Sequence, residues 1–172
     1  MLIDDFLPEH DFVETHAISV NAPPADIYRA ANEIDFSESF IIYGLMRLRG
    51  MSGGQLRLRD LHRFKFELLG EVLNREMVIG LIGRFWTLGG GLLQTDATSF
   101  KMFNTTGHAK AVWNFSVAEE SSSTRLTTET RIRCLDDNSR RRFGWYWMFI
   151  QPFSGLIRME MLKMIKNRAE AV

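Results

Sequence analysis

From Gly107 to Cys134 the chain alternates, and beyond Asn138 it changes period. In "HAKAVWNFSVAEE", Ala109, Ala111, Trp113, Phe115 and Val117 share one side of an extended backbone. His108, Lys110, Asn114 and Ser116 take the other, and Val112 breaks the pattern. "SSSTRLTTETRIRCL" alternates more cleanly: Leu126, Thr128, Thr130, Ile132 and Cys134 lie opposite Arg125, Glu129, Arg131 and Arg133. Successive strand residues point to opposite faces, so two antiparallel strands with one polar face are predicted, in a sheet covered on one side only. Then Phe143, Trp147, Ile150, Ile157, Met161 and Met164 recur at helical spacing, with Ser154 in the gap. A second stripe, Trp145, Phe149, Pro152, Leu156 and Met159, lies on the far side. A helix apolar on two sides is expected to be covered on both, by protein, ligand or lipid. This switch of period commits the chain to an α+β fold.

The rest of the chain fits that class. Thr15 to Val20 reads as a strand, ended by Asn21 and the Pro23–Pro24 pair, and Pro24 suits the first turn of a helix carrying Ile27, Ala30, Ala31 and Ile34. A second helical segment is predicted from Ser37 to Leu48, followed by a glycine-marked connection, "RGMSGGQLR". Phe64 to Val72 and Glu76 to Phe85 flank "LNRE" as a hairpin. A break at "TLGGGLL" leads to a predicted strand at Ser99 to Phe103 and a turn at "NTTG". Asp136, Asp137 or Asn138 can cap the final helix, and Pro152 followed by Gly155 predicts a kink or interruption within it.

Composition narrows the function classes. The chain has 172 residues and 45% hydrophobic content, enough to bury the core of one domain over 1–172. Zero formal charge gives no footprint for a polyanion, so a nucleic-acid partner is not expected. The single Cys134 has no disulfide partner in the sequence, which fits a reducing, cytoplasmic setting. His10, His16, His62 and His108 share no ligand spacing, so no metal and no cofactor is expected. Ser52–Gly53–Gly54 and Gly89–Gly90–Gly91 lack the lysine and the strand–loop–helix context of a phosphate loop and read as turns. The acidic N-terminus, "MLIDDFLPEHDF", does not read as a signal peptide. The uncharged run from Phe143 to Ile157 is shorter than the roughly 20 residues that span a bilayer. Its basic flanks, Arg140 to Arg142 and Arg158, leave a surface-lying contact open.

Five stretches carry a resemblance to a known family: "HAISVNAPPADIYRAA" at 16 to 31, "GLIGRFW" at 80 to 86, "GHAKAVWNFSV" at 107 to 117, "TRLTTETRIRC" at 124 to 134, and "YWMFIQPFSGLIRMEMLKMIKNRAE" at 146 to 170. With their order, the chain resembles the START-like superfamily, the group of polyketide cyclases, lipid-transport and Bet v 1-like proteins, and within it the uncharacterised bacterial members. The resemblance implies a helix-grip fold: a curved antiparallel sheet of about six to seven strands around a long C-terminal helix, with two short helices near the N-terminus. It also implies a cavity between sheet and helix for a hydrophobic or amphipathic small molecule.

On that reading the cavity lining is expected from Trp113, Phe115, Tyr146, Trp147, Ile150 and Phe153, with Leu81 and Trp86 from the preceding sheet and Thr128 from the inward face. Trp113 and Trp147 are expected to approach a common internal space. Glu129 is assigned to the solvated face, and Arg158 to an ion pair with a carboxylate of the N-terminal segment. Cys134 is read as a small buried hydrophobe. No inward His, Asp or Glu is identified, so no catalytic residue is assigned and ligand binding leads. A cyclase- or dehydratase-like enzyme is the alternative, and an interaction protein using its aromatic helix, as a homodimer or at a lipid surface, is a third reading.

Overall fold

A computed structural model describes residues 1–48, 57–87 and 90–171. The connection predicted at "RGMSGGQLR" and the Ser52–Gly53–Gly54 turn lie almost wholly outside them, as does Gly89. Among the described residues, five strands form one antiparallel sheet: β1 (Phe12–Val20), β2 (Glu67–Val72), β3 (Glu76–Gly83), β4 (Ala109–Glu119) and β5 (Thr124–Cys134). Their order is β1-β5-β4-β3-β2, so the first strand closes on the last. The helices are α1 (Pro24–Glu33), α2 (Phe40–Leu48), α3 (Ala97–Met102) and α4 (Asp137–Ala169). None is long and apolar enough to cross a membrane.

The strand count is five, below the six to seven expected, and the strand predicted at Ser99 to Phe103 is the helix α3. Asp96 decides that local structure. Its carboxylate accepts from the amides of Thr98 and Ser99 at 2.9 Å each and from the Ser99 hydroxyl, which satisfies the orphan donors of a first turn. Asp136 caps α4 in the same way, accepting from the Ser139 amide and hydroxyl and from the Gly107 amide. Those hydrogen bonds hold its carboxyl down at about 2. α4 runs unbroken through Pro152, so no interruption occurs there.

The inner face of the sheet packs on α1 and α4. Val20, Ile79, Trp113, Phe115 and Leu126 meet Ile27, Ala31, Met161, Leu162 and Ile165 in the main core. At the other end of the same face, Ala109, Ala111, Ile132 and Cys134 pack around Phe143, near the start of α4. Cys134 is buried, and burial pushes its thiol up to about 12, as expected for a structural cysteine.

The outer face is covered too, which corrects the one-sided sheet expected from alternation. A 3₁₀ turn at Leu2–Asp5 and the residues after it place Ile3, Phe6 and Leu7 on Leu69, Val78, Ile82 and Val112, and Phe100 of α3 completes the layer. Polar residues of β3, β4 and β5 hold that cover down. Glu76 accepts from the amides of Leu2 at 2.7 Å and Ile3 at 3.2 Å, and from Asn114 Nδ2 at 2.7 Å. Asn114 Oδ1 accepts from the Glu129 amide, and Arg131 donates to Glu129, Asp4 and the Leu7 carbonyl. Glu129 does lie on the face opposite Thr128, but its side chain is only 13% exposed and ion-paired rather than solvated.

Candidate functional site

The strand β1 is longer than its sequence signal, and the added residues matter. Pairing with β5 sets Phe12 opposite Ile132, Glu14 opposite Thr130, His16 opposite Thr128 and Ile18 opposite Leu126. Phe12 and Ile18 pack in the two inner clusters, so period two puts Glu14 and His16 on the inner face between them. An inward acid and an inward histidine therefore exist, against the expectation of none. The signal is present as Phe12, Glu14, His16, Ile18, Val20. It is hidden when the strand is begun at Thr15.

Ladder neighbours extend these positions into a band. Thr130 lies opposite Trp113 on β4, so Glu14, Thr130 and Trp113 form one row across three strands. His16 and Thr128 form the start of the next. The band separates the main core from the Phe143 cluster. Gly155 of α4 sits directly above it: a Cβ there would lie 2.9 Å from Glu14 Oε1 and 3.4 Å from the His16 ring. Glycine at 155 thus lets the helix backbone approach both side chains closely.

The band is polar but poorly satisfied. His16 Nε2 and Glu14 Oε1 are 3.0 Å apart. Glu14 Oε2, Trp113 Nε1, Thr128 Oγ1 and Thr130 Oγ1 are buried with no hydrogen-bond partner among the described residues. Trp113, Thr128 and Thr130 are 6%, 1% and 8% exposed, so water does not reach them freely. Each buried group left unmade costs about 1–3 kcal/mol, and four at neighbouring ladder positions are unusual for plain packing. Arg158, one turn beyond Gly155, lies over the Trp113 ring at 3.8 Å from its centroid. Its guanidinium also lies 4.0 Å from the Met161 sulfur.

The expected lining residues divide among three places. Leu81, Trp86, Tyr146 and Trp147 gather half-buried around Phe143, whose ring centroid is 5.7 Å from each of Tyr146 and Trp147. Trp113 and Phe115 lie in the main core with centroids 6.0 Å apart, and Phe115 stacks on Phe36. Trp113 and Trp147 therefore belong to separate clusters. Thr128 is in the band, Ile150 is half-buried, and Phe153 is 50% exposed on the solvent side of α4. Two open hollows, of about 250 and 300 Å³, lie elsewhere. One is lined by α1 and the end of α4 at Arg29, Glu33 and Arg168, the other by Phe6, Lys101 and Met102. Among the described residues no group of three or more His, Cys, Asp or Glu side chains could hold a metal ion.

No family model matches the chain. No curated protein matches it either. Solved structures do align over most of their length. One is a protein from Thermus thermophilus, 12% identical over 93% of this chain and 98% of that one, with a TM-score of 0.39. An uncharacterised protein from Rhizobium leguminosarum is 11% identical over 95% and 97%, with a TM-score of 0.41. The Zhui aromatase/cyclase from Streptomyces sp. R1128 is 12% identical over 92% and 93%, with a TM-score of 0.35. The fold is read from this chain's own architecture: a curved antiparallel sheet, β1 paired with β5 and a long C-terminal helix laid across the inner face make an α+β helix-grip fold.

Proposed function

We propose that the protein binds a small amphipathic molecule between the sheet and α4, with its polar end on the Glu14–His16–Thr128–Thr130–Trp113 band. The observation carrying this reading is the set of four buried, unpartnered polar atoms in neighbouring ladder positions. A ligand offering both a donor and an acceptor would satisfy the Glu14 carboxylate, the indole N–H and the two hydroxyls together. The apolar clusters on either side supply the walls for its hydrocarbon part.

A second reading, a cyclase- or dehydratase-like enzyme, is favoured by the 3.0 Å contact between His16 and Glu14. A carboxylate that orients an imidazole is an arrangement for moving a proton on a bound substrate. The two readings share one site and differ in whether bonds change.

Native mass spectrometry of protein purified without detergent, followed by extraction, identifies any retained molecule. Binding of an apolar fluorescent probe then gives a site test. Thr128→Trp fills the band and is expected to weaken the probe by about tenfold or more, equivalent to about 1.4 kcal/mol. It also costs about 1–3 kcal/mol of stability through overpacking, so unfolding is measured alongside. Arg125→Ala, at an exposed position on the opposite face, is the control and should leave binding unchanged. Wild-type affinity in a folded Thr128→Trp variant would rule the site out. Turnover of the extracted molecule that disappears in Glu14→Gln, with its binding retained, would decide for the enzyme.

A further inference from the structure

The second apolar stripe of α4 is uncovered as far as Leu156, whereas Met159 at its end packs against the main core. Trp145, Met148, Phe149, Phe153 and Leu156 are 63%, 59%, 70%, 50% and 47% exposed. Residues 145, 149, 152 and 156 recur on one helical face, opposite the one that packs on the sheet. At the start of α2, Phe40 is 89% exposed, and Ser39 just before it donates to Glu160, which ties this end of α2 to α4. So large an apolar surface marks a contact site rather than ordinary exposure.

Charge says what the contact is. Between Asp137 and Glu160, α4 carries no acidic residue, whereas Arg140, Arg141, Arg142 and Arg158 all fall in that interval. Arg141 lies one turn before Trp145 and Lys163 two turns after Leu156, so exposed cations bracket the stripe on its own face. We infer that this face docks on an anionic lipid surface, with α4 lying in the plane of the interface. Its indole, phenyl and thioether side chains would enter the headgroup region while Arg141, Arg142 and Lys163 meet lipid phosphates. A second copy fits less well. In a two-fold pairing along α4, Arg141 would face either its own copy or Lys163, like charge against like in both directions. The inference is independent of the ligand reading: Arg158 apart, whose guanidinium lies over Trp113, the apolar side chains and the cations Arg141, Arg142 and Lys163 are exposed away from the Glu14–His16 band.

Flotation of the whole protein with vesicles tests it. Vesicles of phosphatidylcholine alone are compared with an equimolar mixture of phosphatidylcholine and phosphatidylglycerol. The protein is expected to float with the mixed vesicles, to be released by high salt, and to leave the neutral vesicles largely unbound. Phe149→Glu, at an exposed position, is expected to cut the bound fraction by about tenfold, and Arg141→Glu to weaken binding to the mixed vesicles. Failure of the wild type to float overturns the proposal. Equal binding to both vesicle types overturns the charge argument and with it the anionic surface. A concentration-dependent dimer in sedimentation, abolished by Phe149→Glu and unaccompanied by flotation, assigns the face to a second copy instead.

Discussion

Phe143→Ala is expected to destabilise the protein by about 3–5 kcal/mol, the range for deleting a buried aromatic side chain. Phe143 is 2% exposed, and its ring centroid lies 5.0 Å from Phe12, 5.7 Å from Tyr146 and Trp147, 6.2 Å from Phe85 and 6.4 Å from Trp86. It is the shared member of every one of those pairs. Removing it opens a void that β1, α4 and the loop after β3 all border, and rings of that size cannot collapse into it without leaving their rotamers. Trp145→Ala, two residues along, removes a larger ring from a mostly exposed position and should change stability by no more than about 0.5 kcal/mol. Denaturant unfolding of both variants checks the contrast. Equal losses would mean that the start of α4 is not held by this cluster.

Arg131→Met is expected to cost about 3–5 kcal/mol, because truncating one member of a buried pair strands the other. The guanidinium joins three groups: Glu129, Asp4 at 2.8 Å and the Leu7 carbonyl at 3.1 Å. Asp4 is half-exposed and can return to water, which pulls the figure toward the lower end, but Glu129 is 13% exposed and has little access to it. Lysine at 131 keeps the charge yet lacks the planar fork that reaches all three acceptors, so an intermediate loss is expected. The amides of Leu2 and Ile3 should also lose hydrogen-exchange protection in the methionine variant, since their cover over Glu76 is tied down through Asp4 and Leu7. Wild-type unfolding by Arg131→Met would show the network to be dispensable.

Much of the fold was legible because period and capping report directly on backbone geometry. The β4–β5 pairing and the proline start of α1 follow from the sequence, and Asp136 is the one of three candidate caps that α4 uses; Glu129 lies opposite Thr128 as alternation requires, but under cover rather than in solvent. What escaped depended on partners distant in sequence. Leu2 to Asp5 looks like a tail until Glu76 accepts its amides, and Glu129 and Arg131 look solvated until Asp4 and Leu7 close over Arg131. α3 misleads because Thr98 and Phe100 favour strands, while its signal, Asp96 followed by Ser99, is a local cap. In the proposed band, Thr128 and Trp113 are the members that alternation alone turns inward. Glu14 and His16 join them only when the strand is extended back to Phe12, which sets both in one alternating row with Ile18 and Val20.

Closing β1 onto β5 also sets a timetable. The β3–β4 and β4–β5 pairings join strands consecutive in the chain, whereas Phe12 must find Ile132 from the opposite end of the molecule. Loop-closure entropy is paid before such a distant contact returns anything, so pairings of this kind come late. During refolding, pulse-labelled amides shared by β4 and β5 are expected to gain protection before those of β1; simultaneous protection would contradict this order. Thr128 and Thr130 would then stand on an open edge for a time, hydrated and without Glu14 or His16 beside them. A chain arrested at that stage would carry half the polar band and neither titratable member of its His–Glu pair, so the band's chemistry would switch on only with the last strand to arrive.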